Sequence, residues 1–495
     1  MKGILDYLEA SSQKFPEKTA VSYGDTSYSF RELVTLARRI GAEINDYCGA
    51  GIPVAVIVHR SAETVAAFLG AVYNGDFYIP VDPALPSDKL RAMLSDSGAK
   101  IVVGSGNDCE LVSEAGYEGV YVDLSNIGTN EIDAPFISDD APLYMVYTSG
   151  STGKPKGVLK SHRAVKSFVE TFAETFSLSD KEVIGNQTPF FFDASAKDLY
   201  QMLYTGATLE IIPSEYFMLP TALIDYLNIK RITYICWVPT ALIMVIRMNA
   251  FKKHYPETLK KVFFVGEVLP AKMLSAWIAA LPEVKYVNLY GSSEIAGICS
   301  YYEVDNSDIP ENLPLGRALS NCEIFLTDDQ GIVTESEEIG ELCVSSEALA
   351  IGYYNDPIRT SERFVEMLTP SGETKRVFRT GDLAQYKNGM IHFVSRADFQ
   401  IKYLGKRIEL GEIEAAADKL KEVRRCCCLF NKDANMIKLF CELEPDSGLS
   451  GKDIRDMLKP LLSDYMLPHK VIVLDALPLN ANGKINRTLL SEMKI

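Results

Sequence analysis

The segment IPVAVIVHRSAETVAAFLGAVYNGDFYIPV, residues 52–81, predicts a strand, a helix and a second strand in succession. Residues 52–58 are almost all apolar, which is typical of a strand buried on both faces. Residues 61–72 indicate a helix, and residues 77–81 form another short apolar run. Because strands that alternate with helices pair in parallel, the segment indicates an α/β fold in which helices cover a sheet.

The alternation of strands and helices continues on both sides of this segment. Ser29 to Glu32 has the pattern of a helix N-terminus, with a serine three positions before a glutamate. A strand-like run lies at 101–103, and the alternation continues over 220–290. The repeated pattern predicts parallel sheets layered with helices.

The pattern changes after about residue 320. Short strands such as 322–327 and 341–345, separated by turn residues, predict a small β-rich subdomain over about 320–397. We therefore predict a large N-terminal domain, residues 1–397, that contains layered α/β sheets and this subdomain. Residues 398–495 predict a small α+β C-terminal domain.

Composition and charge exclude several classes of protein. The chain has 495 residues, of which 47% are apolar and 23% charged, as in an ordinary globular protein. Its net charge of −16 opposes broad binding to nucleic acid or to an anionic membrane. Asp6 and Glu9 argue against a signal peptide, and no apolar stretch reaches the ~20 residues of a membrane span. Ten cysteines without a CxxC pair disfavour a zinc site and favour a reduced, cytoplasmic location without membrane insertion.

Residues 147–157, YTSGSTGKPKG, are dense in phosphate-binding chemistry. Their glycines let backbone N–H groups approach an anion, while the hydroxyl and lysine side chains add hydrogen bonds and positive charge. The segment is not a Walker A loop, because Thr148 stands at its first glycine and Pro155 replaces its magnesium-binding residue. A solvated surface loop is the alternative interpretation.

This loop resembles the signature loop of the adenylate-forming superfamily, which includes acyl-CoA synthetases, luciferases and the adenylation domains of peptide synthetases. Segments that resemble its other motifs follow in order: FFVGEV (263–268), NLYGSSE (288–294), FRTGDL (378–383), SRAD (395–398), GKRIELGE (405–412) and LNANGKI (479–485). These motifs cover nearly the whole chain. The resemblance implies an AMP-forming enzyme that uses ATP and Mg²⁺ and has a mobile C-terminal domain.

The resemblance also implies roles in nucleotide binding. Tyr290 would stack on adenine, Ser293 would contact the α-phosphate, and Glu294 would hold Mg²⁺. Asp382 would accept both ribose hydroxyls, and Arg396 would contact ribose or phosphate. The predicted ATP-binding set is Thr148, Ser149, Gly150, Ser151, Thr152, Gly153, Lys156, Gly266, Glu267, Asn288, Leu289, Tyr290, Gly291, Ser292, Ser293, Asp382, Arg396 and Lys484. Ser292 and Ser293 stand where the family usually has proline and threonine, and the serine at 293 keeps the hydroxyl.

Three further positions carry predicted roles in catalysis and domain rotation. By resemblance, Lys484 bridges the substrate carboxylate and the α-phosphate, and it forms the catalytic set with Glu294 and Ser293. Asp398 matches the hinge of the C-terminal domain. Gly405 belongs to the loop that lines the tunnel for the pantetheine thiol after rotation. Without the other motifs, Lys484 would be an ordinary surface lysine.

Asp193 distinguishes classes within the superfamily. It follows three phenylalanines, and a carboxylate is poorly placed in apolar surroundings unless it meets a cation or hydrogen-bond donors. In members that activate amino acids, the matching aspartate binds the α-ammonium group. Aryl-acid activators usually have asparagine there, and fatty-acyl activators have no such carboxylate. The alternative is that Asp193 caps a helix predicted over 194–203.

The remaining substrate-binding positions also come from the resemblance. They are Ala194, Lys197, Cys236, Phe263, Val265, Leu289, Gly297 and Ile298. Most are apolar and two are bulky, which indicates a small or medium substrate. Lys197 would pair with an acidic substrate or point outward to solvent; the outward orientation is the default because an unpaired buried ammonium is costly.

Segments 193–200, 205–209 and 262–270 resemble D-alanine–carrier-protein ligases, which are free-standing enzymes, but those ligases typically carry cysteine where this chain has Val265. We therefore predict activation of an amino acid as aminoacyl-AMP without assigning D-alanine. Because only eleven residues follow Lys484, the predicted acceptor is the phosphopantetheine thiol of a separate carrier protein, with CoA as the competing acceptor. The alternatives are an acyl- or aryl-CoA synthetase and a non-catalytic nucleotide-binding scaffold.

Overall fold

The computed structural model describes residues 3–148, 155–252, 254–328, 331–333, 338–396, 400–431, 434–444, 447–478 and 485–493. Its contacts divide the chain into two compact units. The first comprises Met1–Pro83, Arg91–Val146 and Gly157–Ala397, and the second comprises Ala84–Leu90, Tyr147–Lys156 and Asp398–Ile495. The domain limits at 397 and 398 remain a prediction from the sequence.

The helices and strands alternate along much of the chain. The helices are α1 Leu5–Lys14, α2 Phe30–Asn45, α3 Ala62–Tyr73, α4 Ser87–Ser97, α5 Asp108–Glu114, α6 His162–Phe176, α7 Ala196–Thr205, α8 Pro220–Ile229, α9 Pro239–Arg247, α10 Ala271–Ala280, α11 Pro357–Arg363, α12 Leu410–Ala417, α13 Gly451–Leu458 and α14 Arg487–Glu492. The strands are β1 Thr19–Tyr23, β2 Thr26–Ser29, β3 Pro53–Ile57, β4 Phe77–Val81, β5 Ile101–Gly104, β6 Val120–Asp123, β7 Pro142–Thr148, β8 Lys156–Ser161, β9 Val183–Asn186, β10 Thr208–Ile211, β11 Tyr234–Trp237, β12 Lys261–Val265, β13 Lys285–Tyr290, β14 Ser300–Glu303, β15 Arg317–Ala318, β16 Cys322–Asp328, β17 Gly331–Val333, β18 Ile339–Ser346, β19 Gly352–Tyr353, β20 Phe364–Leu368, β21 Thr374–Lys387, β22 Met390–Arg396, β23 Gln400–Tyr403, β24 Lys406–Glu409, β25 Val423–Asn431, β26 Met436–Leu443 and β27 Lys470–Leu474.

Residues 52–81 form the predicted strand–helix–strand unit, β3–α3–β4. The two strands pair in parallel, with Val54 opposite Tyr78. All five residues of β3 and of β4 are buried, as their apolar sequences indicated. Helix α2 begins at the predicted position: Ser29 accepts a hydrogen bond from the Glu32 amide, and the Glu32 carboxylate accepts one from the Ser29 amide at 2.8 Å.

Two large sheets of the first unit carry the candidate site. One has the strand order β15-β14-β13-β12-β11-β9-β10-β1-β2, and its six consecutive strands from β13 to β1 are parallel. The other has the order β19-β8-β7-β4-β3-β5-β6. Buried residues from both sheets, among them Val54, Tyr144 and Phe263, belong to one continuous hydrophobic core. The sheets and their helices confirm the predicted α/β fold class.

Short antiparallel strands form a separate sheet in the first unit. Its order is β17-β16-β18-β21-β20, and β22 pairs with β21. The predicted short strands at 322–327 and 341–345 lie in β16 and β18. The structure thus contains the β-rich region that the change in sequence pattern indicated.

The second unit contains an α+β arrangement. Strands β25, β26 and β27 form a three-stranded sheet, and β23 and β24 form a hairpin whose turn residues Leu404 and Gly405 have φ of +52° and +74°. Cys426 and Cys428 on β25 pack in one hydrophobic cluster and Cys427 packs in another, because successive side chains leave a strand on opposite faces.

Within the described residues, no helix has both the length and the apolar character that a membrane crossing requires.

Candidate active site

Neighbouring parallel strands hold four of the predicted substrate-binding side chains. Cys236 on β11 lies opposite Phe263 on β12, and Val265 on β12 lies opposite Leu289 on β13. All four side chains are buried in the main hydrophobic core. These predicted residues therefore lie side by side on three adjacent strands, and Cys236, Val265 and Leu289 lie near the carboxyl ends, where α/β sheets commonly bind ligands.

Asp193 lies in a short 3₁₀ turn, Asp193–Ser195, that leads into α7. Its Oδ1 accepts hydrogen bonds from the Tyr144 hydroxyl, at 2.9 Å, and from the ammonium of Lys160. Neither the 3₁₀ turn nor α7 has a side-chain cap from this carboxylate. The helix-capping alternative for Asp193 is therefore wrong: the helix predicted over 194–203 begins at Ala196, and Asp193 points to side chains from the seven-stranded sheet.

Lys160 is the partner that the sequence analysis missed. It lies on β8, and its side chain is fully buried. Besides Asp193, its Nζ donates to the Tyr144 hydroxyl at 3.2 Å and to the Ile295 carbonyl at 3.4 Å. Burial lowers the pKa of Lys160, while the charges of Asp193 and Glu294 act in the opposite direction. The signal in the sequence was the position of Lys160 directly after the apolar residues Val158 and Leu159, since a charge buried with them needs a partner.

Lys197 forms a second buried ion pair. Its Nζ lies 3.3 Å from Asp198 Oδ1 and donates to the Ala194 carbonyl at 2.7 Å. The outward orientation expected for Lys197 is wrong, because its side chain is 2% exposed and its charge is compensated by Asp198. Although burial opposes the charged form, Asp198 and Cys236 together raise the pKa of Lys197.

Two further groups complete the hydrogen bonds of Asp198. Asn186 donates to its Oδ2 at 3.1 Å, and the Tyr234 hydroxyl donates to its Oδ1 at 3.2 Å. Cys236 adjoins this network, and burial raises the pKa of its thiol to about 12. Cys236 is thus a protonated thiol at neutral pH.

The remaining predicted substrate-binding residues, which are next to Asp193 or follow β13 in the chain, differ in burial. Ile298 is buried, and Ala194 and Gly297 are partly buried. A Cβ at Gly297 would lie 2.3 Å from the Phe168 ring, and its φ is +76°, so only glycine fits there. A cavity of about 10 Å³, the room of one water molecule, adjoins Asp193 and Tyr144, but its lining includes none of the other predicted substrate residues.

Tyr290, Asp382 and Arg396 meet at one point, although they come from three distant motifs. The Tyr290 hydroxyl donates to Asp382 Oδ2, and Arg396 donates to Asp382 Oδ1. Burial, followed by the charge of Asp382, raises the pKa of Tyr290 well above its ordinary value of 10. The structure therefore groups these predicted nucleotide-binding residues, with both Asp382 oxygens engaged by protein side chains.

Glu294 is the predicted magnesium ligand, and its side chain is fully buried. Its Oε1 accepts a hydrogen bond from the Tyr353 hydroxyl at 2.8 Å. Carboxylate oxygens are the hard ligands that Mg²⁺ prefers, so the chemistry of this residue fits the ion. Ser292 and Ser293 immediately precede Glu294, and the hydroxyl of Ser292 is buried without a hydrogen-bond partner among the described residues.

The other predicted nucleotide contacts are placed as follows. Glu267 accepts hydrogen bonds from the amide and hydroxyl of Thr240, at 3.2 and 2.6 Å. Asn288 donates to the Pro314 carbonyl at 2.9 Å. Gly266 has φ of +98°, and a Cβ at Gly291 would lie 2.6 Å from the Gly297 carbonyl oxygen.

The remaining predicted site residues either belong to other parts of the fold or lie outside the described residues. Thr148 ends β7, Lys156 begins β8, and Gly405 lies in the β23–β24 turn. Ser149, Gly150, Ser151, Thr152, Gly153, Asp398 and Lys484 lie outside the described residues.

A layered α/β fold with these clustered motifs defines an adenylate-forming enzyme. Residues 8–354 match the family of AMP-binding enzymes, and residues 412–484 match the AMP-binding enzyme C-terminal domain. The chain therefore belongs to the AMP-binding enzyme family, which confirms the resemblance found in its motifs.

Individual relatives support this assignment. Zwittermicin A synthase ZmaJ from Bacillus cereus is 30% identical over 99% of this chain and 94% of its own length. The chain spans only 9% to 14% of the length of the larger curated relatives bacitracin synthase 1, surfactin synthase subunit 1 and tyrocidine synthase 2.

Solved structures share the fold at lower sequence identity. The Vibrio cholerae adenylation domain AlmE, in complex with glycyl-adenosine-5'-phosphate, has a TM-score of 0.86 and 20% identity over 99% of this chain and 97% of its own. NpsA-ThdA from Klebsiella oxytoca, an artificially fused adenylation–PCP di-domain, has a TM-score of 0.82 and 23% identity over 95% and 93% of the two chains.

Proposed function

We propose that this protein activates an amino acid as aminoacyl-AMP and then transfers the aminoacyl group to the phosphopantetheine thiol of a carrier protein. The observation that carries the amino-acid assignment is the partly accessible carboxylate of Asp193 at the wall of the candidate site. Its Oδ1 is held by Lys160 and Tyr144, and Oδ2 accepts no hydrogen bond from any described residue. Such an oxygen is suited to accept a donor from the α-position of a substrate.

The proposed first step joins the substrate carboxylate to the α-phosphorus of ATP. A carboxylate oxygen forms the new P–O bond, and the bond to the β-phosphate oxygen breaks as pyrophosphate leaves. In this proposal Tyr290, Asp382 and Arg396 bind the nucleoside, while Ser293 and the 148–156 loop bind the phosphates. Lys484 offsets negative charge at the reacting phosphate.

Glu294 is the residue proposed to hold Mg²⁺, because it offers a buried carboxylate beside Tyr353. A bound Mg²⁺ supplies positive charge that offsets the triphosphate. The protein contributes the Glu294 carboxylate, and the Tyr353 hydroxyl, which donates to it at 2.8 Å, fixes its orientation.

The proposed second step transfers the acyl group from AMP to sulfur. The pantetheine thiolate attacks the acyl carbon, the C–S bond forms, and the bond to the AMP oxygen breaks. Gly405 is proposed to line the thiol tunnel after rotation about Asp398. The adenylation–PCP architecture of NpsA-ThdA supports a carrier protein as acceptor, with CoA as the competing one.

The test is exchange of labelled pyrophosphate into ATP over a panel of L- and D-amino acids and amine-free acids. We expect exchange with at least one amino acid. Exchange that occurs only with amine-free acids would refute the amino-acid assignment in favour of an acyl- or aryl-acid activator. Nucleotide binding without exchange for any acid would indicate the non-catalytic scaffold.

A half-reaction experiment tests the roles proposed for Lys484 and the transfer step. The Lys484→Ala variant should lose adenylate formation, by about a thousandfold, because it lacks the charge proposed to bridge the substrate carboxylate and the α-phosphate. It should retain thioester formation from supplied aminoacyl-AMP and a carrier protein. Equal loss of both half-reactions would contradict this division of labour.

A further inference from the structure

The ammonium of Lys160 already compensates the negative charge of Asp193. Without Lys160, a substrate ammonium would have to provide that compensation. Lys160 Nζ and the Tyr144 hydroxyl both bond to Asp193 Oδ1, and the two lysine contacts at 3.2 and 3.4 Å fix the ammonium between Tyr144 and Ile295. The lysine side chain is 0% exposed and that of Asp193 is 12% exposed. The charge of the carboxylate is therefore balanced by a buried cation, and Oδ2, which has no donor among the described residues, can still accept a hydrogen bond.

A substrate ammonium that reaches Asp193 Oδ2 would become a second cation on one carboxylate. The two ammonium groups on Asp193 would repel each other, and the low-dielectric surroundings strengthen that repulsion. Buried Glu294 also acts on Lys160, but its charge has a smaller effect there than that of Asp193. An uncharged donor on the α-carbon, such as a hydroxyl group, makes the same hydrogen bond without that repulsion. Lys197 cannot replace Lys160 in this role, because it is paired with Asp198 at 3.3 Å.

We propose that Lys160 is a specificity-determining residue that lets the site accept 2-hydroxy acids alongside the matching 2-amino acids. This inference rests on the proposed adenylation at the Asp193 site and extends it to a second class of substrate. Lys160 acts by lowering the preference of Asp193 for an α-ammonium over an α-hydroxyl.

The decisive measurement is the ratio of kcat/KM for an amino acid to kcat/KM for its 2-hydroxy analogue, obtained by pyrophosphate exchange. In the wild-type protein the ratio should be no more than about ten. In Lys160→Met, which removes the charge and keeps an unbranched side chain, the ratio should rise at least about tenfold in favour of the amino acid. The matched control is Lys166→Met, which breaks a lysine–aspartate pair with Asp139 at 3.1 Å on the same unit and should leave the ratio unchanged.

The outcomes separate this inference from the proposed function. An equal ratio in the wild type and in Lys160→Met, or exchange with amino acids alone, overturns the inference and leaves amino-acid activation standing. Exchange with hydroxy acids but with no amino acid overturns the proposed amino-acid activation and supports acceptance of an uncharged α-donor. Exchange with no acid overturns both.

A purely structural role for Lys160 would change expression or unfolding without changing the ratio. If Lys160→Met does not fold, the wild-type protein alone provides the test through three substrates: an amino acid, its 2-hydroxy analogue and its deaminated analogue. The hydroxy acid should be used at least about tenfold more efficiently than the deaminated acid, because only the former donates to Asp193 Oδ2. Equal use of those two acids overturns the inference.

Discussion

Two buried lysine–aspartate pairs flank the start of α7, and they differ in how completely the carboxylate is hydrogen-bonded. Asp198 has donors on both oxygens: Lys197 and Tyr234 on Oδ1, and Asn186 on Oδ2. Asp193 receives both of its donors on Oδ1, and its Oδ2 has none among the described residues.

The difference shows that burial of a charge does not by itself indicate function. Asp198 is 0% exposed and both of its oxygens accept hydrogen bonds from the protein, which fits a role in the fold. Asp193 is 12% exposed and is held by donors on Oδ1 alone, so the protein orients this carboxylate while Oδ2 retains capacity for a ligand. The comparison predicts that substitutions in the Asp198 pair reduce stability and that substitutions in the Asp193 pair change substrate use.

The largest expected effect follows from Asp198→Ala. Removal of Asp198 leaves the ammonium of Lys197 buried without its counter-charge, which should reduce the free energy of unfolding by about 3–5 kcal/mol. Urea titration at neutral pH measures the loss. Asp193→Ala is the matched variant and should cost less, because the Asp193 side chain is 12% exposed and water can take its place beside Lys160, whereas Asp198 is 0% exposed. Equal losses would break the distinction between the two pairs.

The second prediction concerns substrate binding through Asp193. Asp193→Asn keeps the side-chain shape but removes the charge, so KM for the amino acid should rise about a hundredfold. Pyrophosphate exchange gives KM, and Asp198→Asn is the control, with KM expected within about threefold of the wild-type value. An unchanged KM in Asp193→Asn would refute a substrate contact at this carboxylate.

A smaller effect is expected from the neutral donors of the two pairs. Asn186→Ala removes the donor to Asp198 Oδ2 and should cost about 1–3 kcal/mol, since that buried oxygen has no other donor among the described residues. Tyr144→Phe should cost only about 1 kcal/mol, because Lys160 still donates to the same oxygen of Asp193. The reverse order of the two losses, measured by urea titration, would contradict the hydrogen-bond assignments.

The smallest effect concerns the dependence of stability on pH. The folded-state pKa of Lys197 lies above its ordinary value of 10.5, so its contribution is complete below pH 10.5 and is lost as the pH rises through the higher value. The folded-state pKa of Lys160 lies below 10.5, so the cost of its buried charge disappears as the pH rises through that value toward 10.5. The two lysines therefore act with opposite signs in alkaline solution.

Variants that lack each lysine test these signs. Between about pH 8 and pH 11, the stability of Lys197→Met relative to the wild type should rise, and that of Lys160→Met should fall, each by about 1 kcal/mol. Denaturant midpoints at several pH values give both slopes. If the stability of both variants relative to the wild type changed with pH in the same direction, the opposite pKa shifts of the two lysines would be wrong.

Local patterns in the sequence predicted the fold well, because they depend on neighbouring residues. The apolar runs at β3 and β4 and the capping box at Ser29 are examples, and both appear where they were expected. The ordered motifs likewise predicted which segments meet, as the contacts of Asp382 with Tyr290 and Arg396 illustrate.

The ion pairs of the site could not be predicted in the same way. Lys160 and Asp193 are separated by 33 positions and lie on different elements, so no local pattern indicates their contact. Lys197 was expected to face solvent because its own neighbour in sequence, Asp198, was not recognised as its buried counter-charge. The burial of Asp198 depends on tertiary contacts, because Asn186 and Tyr234, which donate to it, lie on the strands β9 and β11 and not on its own helix.

Gly297 limits how the proposed substrate pocket could be redesigned. With a ring carbon of Phe168 at 2.3 Å from where a Cβ would stand, this part of the wall is made of backbone, and no side chain can be added there without displacing an aromatic residue of the core. Leu289 and Val265 occupy ordinary strand positions, so shorter side chains there would enlarge the proposed substrate pocket at the expense of packing. Directed evolution of this enzyme should therefore yield variants that accept larger substrates through changes at positions 265 and 289, while position 297 stays glycine.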